Sequence, residues 1–199
     1  EKVTQRATTA LENCQFNIAT EEIRNFTWHE LCDQYIEAIK HRLYQSEKYG
    51  EEKKKAAQYT LYTAIYRTLQ LLAPISPHIT EEMYQTMYAD DKKHKSIHLS
   101  PWPLPKKEKI DEEAEKHGDL IMAVTGEIRR DKAERKKPLN APIKKLTIYA
   151  GSKNNAQILN QALEDIAGTC KTEETKITPV KGKGREVQGY PDIHFSAEY

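Results

Sequence analysis

Apolar residues recur every three or four positions through most of the first 90 residues, and this spacing constrains the fold more than any other feature. It predicts amphipathic helices over about 5–26, 28–45, 52–73 and 77–87. Since the connections between them are short, the pattern predicts an antiparallel helical bundle.

The second of these helices carries its own start signal. Thr27 followed by Glu30 is typical of a capping box, in which the two side chains satisfy free backbone N–H groups. Trp28 and Tyr35 fall on the apolar stripe of this helix, so we expect them in the core. Replacing Trp28 by alanine is then expected to cost about 3–5 kcal/mol of stability.

Two prolines separate the third helix from the fourth in the stretch "LLAPISPHITEEMY". Pro74 lacks an N–H group and disfavours helical geometry in the residue before it, so it ends the third helix. Ser76 can cap the next helix, with Pro77 at its first position. Glu81 and Glu82 are expected near the positive end of that helix. The sequence therefore predicts a corner between two packed helices.

The rest of the chain predicts a second, smaller unit. A proline-rich stretch, "SIHLSPWPLP", is expected to strap the bundle and lead into a helix over about 111–136. A strand is predicted over 144–151, a helix over 154–167, and closing strands at "ETKITPV" and "DIHFSAEY". The expected fold is mainly α, with an antiparallel helical bundle over 1–105 and a small α/β (α+β) appended domain over 106–199.

The net charge of +1 conceals a basic segment. Residues 128–145 hold eight bases and two acids, a local balance of +6. Clustered lysines and arginines bind phosphates with strong salt dependence, so the segment favours nucleic acid as a partner. The candidate contacts are Arg129, Arg130, Lys132, Arg135, Lys136, Lys137, Lys144 and Lys145. The alternative is a solvated helix end whose bases complement the helix dipole.

No pattern in the chain points to catalysis, to a metal or to a membrane. The carboxylate pairs fall in predicted helix starts, where the helix dipole alone favours them. The three cysteines are widely spaced and form no CxxC pair, which suits a reducing cytoplasm. We therefore expect no catalytic residue, no metal, no membrane segment and a cytoplasmic location.

Three motifs together resemble a known family. They are F-N-x-A ahead of a Trp-His helix, then L-x-P-x-x-P-H-x-x-E-E, then S-I-H-x-x-x-W-P. In combination they resemble the anticodon-binding helical domain of class I aminoacyl-tRNA synthetases over about residues 5–105. The sequence of these motifs is most similar to the archaeal valyl sub-family, while isoleucyl- and leucyl-type enzymes share the architecture of the bundle.

The resemblance implies a C-terminal, tRNA-binding region of an enzyme that joins valine to tRNA(Val). In such an enzyme ATP with Mg²⁺ binds a separate catalytic domain, whose H-I-G-H and K-M-S-K-S motifs this chain lacks. We therefore expect no cofactor in the chain, no activity by itself, and a monomer. Lys40 and Arg42, on the expected solvent side of the second helix, join the basic segment as candidate tRNA contacts. The remaining alternative is a free-standing helical module that binds an acidic protein.

Overall fold

The computed structural model describes residues 1–91 and 93–199. The chain forms two compact units, the first comprising 1–36 with 45–110 and the second 37–44 with 111–199. The predicted mainly α fold with a small α/β part is confirmed. The predicted domain boundary after residue 105 stays a prediction. The compact units themselves divide after residue 110, and residues 37–44 belong to the second unit.

The helices up to residue 87 are more numerous than the four predicted, because the first two predicted helices are divided differently. In chain order they are α1 (Lys2–Glu12), α2 (Phe16–Asn25), a π-helical segment (Phe26–Ile36), α3 (Glu37–Tyr44, in the second unit), α4 (Ser46–Tyr49), α5 (Glu51–Leu72) and α6 (Pro77–Met87).

The first helix break lies earlier than the sequence predicts. Cys14 adopts a left-handed conformation with φ of 57°, and the Asn13 side-chain amide donates to the Thr9 carbonyl at 2.8 Å. The chain therefore turns between α1 and α2. Arg6 Nε donates to a Glu22 carboxylate oxygen at 2.6 Å across this turn.

The predicted capping box at Thr27 is wrong. Its hydroxyl donates to the Ile23 carbonyl at 2.7 Å, one helical turn back, and α2 continues directly into the π-helical segment. Since the helix runs on without a break, no helix begins at Thr27 for its hydroxyl to cap.

The predicted burial of Trp28 is also wrong, because its side chain is 64% exposed. In a π-helix the hydrogen bonds span five residues and each turn is wider, so positions three apart no longer share a face. Leu31 is buried at 5% exposure while Trp28 points to solvent. A stripe drawn with the α-helical period therefore misplaces this tryptophan.

On α6, Thr80 and Tyr84 occupy the core, whereas the apolar Ile79 and Met83 are exposed. Both polar side chains are satisfied there. The Thr80 hydroxyl donates to the Ser76 carbonyl at 2.9 Å, and the Tyr84 hydroxyl donates to the His94 carbonyl. Burial of the large Tyr84 ring then carries no unpaired hydroxyl.

The proline corner is confirmed in outline. Helix α5 ends at Leu72, and Pro77 is the first residue of α6, although the Ser76 hydroxyl makes no capping bond. Glu81 lies beyond the first turn, so helix-dipole placement does not explain it. Its carboxylate instead accepts bonds from Ser96 Oγ at 2.8 Å and from the Ile97 amide at 3.1 Å. Burial raises the pKa of Glu81, but these bonds, with one from its neighbour on α6, outweigh it and lower that pKa overall.

The proline-rich stretch straps the first unit as predicted. Trp102 Nε1 donates to the Thr8 hydroxyl on α1 at 2.9 Å. Gln70 on α5 donates to the Pro101 carbonyl at 3.1 Å. Because an indole N–H and an amide each find a partner, the extended segment is fixed at two points along its length.

The second unit places helices against a four-stranded sheet. Its later elements are α7 (Glu112–Glu134), β1 (Ile143–Tyr149), α8 (Lys153–Gln161), α9 (Leu163–Cys170), β2 (Thr172–Thr178), β3 (Arg185–Val187) and β4 (Tyr190–Glu198). The strand order is β2-β1-β4-β3, with β1 parallel to β2 and antiparallel to β4. The structure replaces one predicted helix by α8 and α9 and adds β3, which the sequence did not reveal. No helix in the described ranges is both long and apolar enough to cross a bilayer.

Because Trp28 is exposed and Tyr84 is buried, we expect the larger loss of stability from mutating Tyr84. Trp28→Ala is expected to lower the free energy of unfolding by less than about 1 kcal/mol, since little apolar area is lost. Tyr84→Ala removes a side chain with 0% exposure and is expected to cost about 3–5 kcal/mol. Urea unfolding of both variants checks this, and equal losses would contradict it.

Candidate nucleic-acid interface

The basic segment begins where α7 ends in a Schellman motif. The Lys137 amide donates to the Lys132 carbonyl at 2.8 Å, and the Lys136 amide donates to the Ala133 carbonyl at 2.9 Å. Lys136 takes the left-handed position of this motif with φ of 55°. Pro138 follows and cannot continue the helix. Lys136 and Lys137 are both exposed.

Lys132 lies at the centre of this turn and is fully buried, with 0% exposure. Its ammonium donates to the carbonyls of Leu139 at 3.1 Å, Ala141 at 2.6 Å and Cys170 at 2.7 Å. Burial lowers the pKa of Lys132. The prediction that Lys132 contacts phosphate is wrong, because its ammonium is buried and is already bound by three backbone carbonyls.

The arginines of α7 are largely balanced by acids of the same helix. Arg130 lies 3.0 Å from a Glu127 oxygen, and Arg135 lies 2.8 Å from an Asp131 oxygen. Arg130 also donates to Gln188 at 2.8 Å. A phosphate would compete with these carboxylates, so each arginine offers less than its full charge.

A third arginine, Arg185 on β3, completes an ion-pair cluster that sequence analysis missed. It contacts Glu127 at 2.6 Å, Asp131 at 3.4 Å and Glu134. The hydrogen bond with Glu134, together with the other acids, raises the pKa of Arg185. No sequence motif marks Arg185, because it reaches the acids of α7 only when the sheet has formed.

The exposed lysines of the turn are the cations that this cluster leaves for other partners. Lys137 lies over the Tyr199 ring, 5.2 Å from its centroid, and Arg135 lies 5.4 Å from it. The Tyr199 hydroxyl donates to Asp131 at 2.6 Å, which fixes the ring beside the turn. We call Lys136, Lys137, Lys144 and Lys145 the lysine turn.

Lys144 and Lys145 are exposed on β1. Lys145 is paired in register with Glu174 on β2 and with Glu198 on β4, so acids flank it on both sides. Lys144 has no register partner on either neighbouring strand. Of these two lysines, Lys144 is therefore the less compensated by acids of the sheet.

The candidate residues of α3 and its partner helix α7 are held in ion pairs. Lys40 pairs with Glu37 on the same helix, and Arg129 lies 3.5 Å from another oxygen of Glu37. Arg42 donates to both carboxylate oxygens of Asp165 on α9, with Nε at 2.8 Å. The expectation that Arg42 projects freely into solvent is therefore wrong.

Asp165 is contacted by two side chains of α3. His41 Nε2 lies 3.0 Å from its carboxylate, and His41 itself is 2% exposed. Gly168 makes this approach possible, since a Cβ there would lie 2.4 Å from the His41 ring. Burial raises the pKa of Asp165, but the bonds from His41 and Arg42 outweigh it and the net shift is downward.

Nothing in the described parts of the chain forms a metal site. Within residues 1–91 and 93–199, no three His, Cys, Asp or Glu side chains converge as potential ligands. Cys170 is fully buried, and burial raises the pKa of its thiol to about 12.

Comparison with known proteins identifies the family. The profile described as "Anticodon-binding domain of tRNA ligase" matches residues 1–148. The chain belongs to this family. The match runs from α1 into β1, and so includes the bundle, α7 and all four residues of the lysine turn. The resemblance drawn from the three sequence motifs is confirmed.

The relatives reported are archaeal valine–tRNA ligases. The chain is 42% identical over 182 residues to the "Valine--tRNA ligase" of Pyrococcus furiosus, covering 92% of this chain and 20% of that ligase. The "Valine--tRNA ligase" of Methanothermobacter thermautotrophicus is 43% identical over 176 residues, 88% of this chain and 19% of its own length. That of Methanocaldococcus jannaschii is 40% identical over 183 residues, 92% and 20% respectively. The chain thus spans about a fifth of the length of these relatives.

Lys132 allows a direct test of its structural role. Lys132→Met keeps the apolar stem but removes the donor to three carbonyls. It is expected to lower the free energy of unfolding by at least about 2 kcal/mol, because buried acceptors lose their partner. Lys144→Met, at an exposed position, is the control and should change stability by less than about 0.5 kcal/mol. Equal unfolding midpoints in urea would contradict the role assigned to Lys132.

Asp165 gives the second unit a defined pH dependence. Because its folded-state pKa is lower than the ordinary value of 3.8, its stabilisation is present above that value and is lost as the pH falls through the folded-state pKa. Asp165→Asn should cost about 1–3 kcal/mol at neutral pH and remove this part of the acid dependence.

The matched control for Asp165 is Asp33→Asn, which breaks a His–Asp pair at 3.2 Å whose side chains are 67% and 64% exposed. That change should cost less than about 0.5 kcal/mol. Urea unfolding at neutral and acidic pH measures both variants. If Asp165→Asn lost stability with falling pH just as the parent chain does, the role of this carboxylate would be refuted.

Proposed function

We propose that this chain is the anticodon-binding, C-terminal region of a valine–tRNA ligase and that it binds tRNA, specifically tRNA(Val). The observation that carries the proposal is the lysine turn. Its position at the Schellman end of α7 exposes Lys136 and Lys137, and no carboxylate pairs with either among the described residues. Membership of the anticodon-binding family and the valine-specific relatives support tRNA(Val) as the ligand.

The lysine turn fits the part of RNA recognition that does not depend on sequence. Lysine ammonium groups contact phosphates, which fixes register and orientation, whereas bases carry the sequence information. Lys136 and Lys137 are therefore assigned to the phosphate backbone, with Lys144 as a neighbouring contact. Arg129, Arg130, Arg135, Lys145, Lys40 and Arg42 are secondary contacts, since acids already engage or flank them.

The whole enzyme is proposed to attach valine to its tRNA with ATP and Mg²⁺ bound in a separate catalytic domain. No residue of this chain is assigned to ATP, and we expect the chain by itself to form no aminoacyl-adenylate. We also propose that the chain is monomeric and cytoplasmic, since its three widely spaced cysteines suit a reducing compartment.

A second candidate function is the binding of an acidic protein, which the lysine turn would also favour. Counterion release separates the two, since only a polyelectrolyte such as tRNA gives a steep linear dependence of log affinity on log salt.

The test is the double variant Lys136→Gln/Lys137→Gln. Each lost phosphate contact lowers the salt slope by about one unit, so the slope should fall by about one to two units. Affinity should drop similarly for tRNA(Val) and for a non-cognate tRNA, because phosphates are common to both. Fluorescence anisotropy over a series of salt concentrations measures this.

Lys53→Gln/Lys55→Gln provides a control with the same change of charge, at exposed positions on α5 outside the lysine turn. It should leave the slope unchanged. An unaltered salt slope in the Lys136/Lys137 variant would show that these lysines contact no phosphate and belong to a solvated helix end.

A further inference from the structure

A large groove runs along one face of α5 in the first unit. Its volume is about 870 Å³, and its far wall is the strap that follows the 3₁₀ turn at Ile97–Leu99. The α5 wall carries Tyr59, Tyr62 and Tyr66, and the strap wall carries Trp102. This volume lies in the range of about 300–1,000 Å³ that is typical of ligand sites.

The tyrosines of this groove are spaced as a platform. They occur at intervals of three and four residues on one helix, so successive rings lie about 4.5 and 6 Å apart along the axis. Tyr62 and Tyr66 are braced from behind by the buried Tyr88 ring, at centroid distances of 4.6 and 5.2 Å. Tyr59 is 68% exposed although it belongs to the same face.

Cations line both sides of the same groove. Arg67 on α5 is only partly exposed, yet it forms no hydrogen bond or ion pair within the part of the chain that the structure describes. Lys93 and Lys106 are exposed at the rim. Of the lining acids, Asp91 already accepts the Tyr62 hydroxyl at 3.0 Å, which leaves Glu108.

We propose that this groove binds unpaired nucleotides of RNA, with bases stacked on Tyr59 and the neighbouring tyrosine rings and a phosphate held by Arg67. The inference rests on the proposed function, since it assigns to tRNA a second contact apart from the lysine turn. Aromatic faces accept any base, and a guanidinium without a partner supplies the charge that a phosphate needs.

A proline-rich peptide is the competing occupant, because aromatic grooves also bind polyproline helices. The cations decide against it. Arg67, Lys93 and Lys106 outnumber the acids on the walls, and an uncharged peptide would leave the Arg67 guanidinium unpaired in a partly enclosed site.

The experiment uses Trp102 as the reporter in a Trp28→Phe background, since Trp28 lies outside the groove. The probe is a mixed-sequence single-stranded RNA heptanucleotide, added to the full chain. We expect saturable quenching of Trp102 emission. Tyr59→Ala and Arg67→Gln should each weaken binding at least about fivefold, whereas Tyr59→Phe retains it.

Matched controls are Tyr44→Ala and Arg24→Gln, which change an exposed tyrosine and an exposed arginine outside the groove. Both should bind the heptanucleotide as the parent does. Circular dichroism confirms that each variant is folded, which the exposure of Tyr59 leads us to expect.

Three results would overturn the proposal. They are a heptanucleotide affinity unchanged by Tyr59→Ala and Arg67→Gln, the absence of any quenching, and saturable quenching by a polyproline decapeptide with none by RNA. In each case the tRNA affinity of Lys136→Gln/Lys137→Gln, measured separately, shows whether the lysine turn still contributes. The groove can therefore fail while the proposed function stands, and the reverse holds as well.

Discussion

The buried ammonium of Lys132 is the interaction on which the second unit's functional surface depends. Its three acceptors are carbonyls from the turn after α7 and from the end of α9. A cation without water must find such partners, so the chain around it is fixed at three points. The Schellman end of α7 then sets the direction in which Lys136 and Lys137 project. Lys132 therefore stabilises the turn, and the turn leaves Lys136 and Lys137 exposed.

Charge compensation decides how much of the basic segment can act on a partner. Arg130, Arg135 and Arg185 face Glu127, Asp131 and Glu134, three cations against three acids. The local balance of +6 read from the sequence therefore overstates the field that an approaching phosphate meets. A linear count of charge cannot reveal this, because Arg185 follows α7 by some 50 residues and reaches it only through the sheet. Lys136 and Lys137 remain because both are exposed and no carboxylate among the described residues pairs with either.

The sequence predicted those elements whose cause is local. The prolines predicted the α5–α6 corner, and the apolar period predicted α5 to within a few residues. The acids at the start of the 111–136 segment and the bases at its end predicted α7 equally well. The sequence failed where tertiary context or backbone geometry overrides the period. Trp28 lies in a π-helical segment, where an α-helical stripe does not apply. The partners of Lys132 and Arg42 lie on α9. The groove along α5 forms only because the strap, some 30 residues later in the sequence, packs against that helix. No pattern along the chain encodes those encounters.

The two candidate contacts divide RNA recognition according to its physics. The lysine turn offers ammonium groups that are exposed and screened by salt, so its contribution falls as counterions accumulate. The groove offers ring faces braced by Tyr88, whose stacking depends on bases being unpaired and only weakly on salt. The lysine turn can contact the phosphates of paired and unpaired nucleotides alike, whereas the groove can bind only unpaired bases. A ligand that satisfies both must therefore carry a phosphate backbone and expose unpaired bases, which is the chemistry of an anticodon loop and its stem.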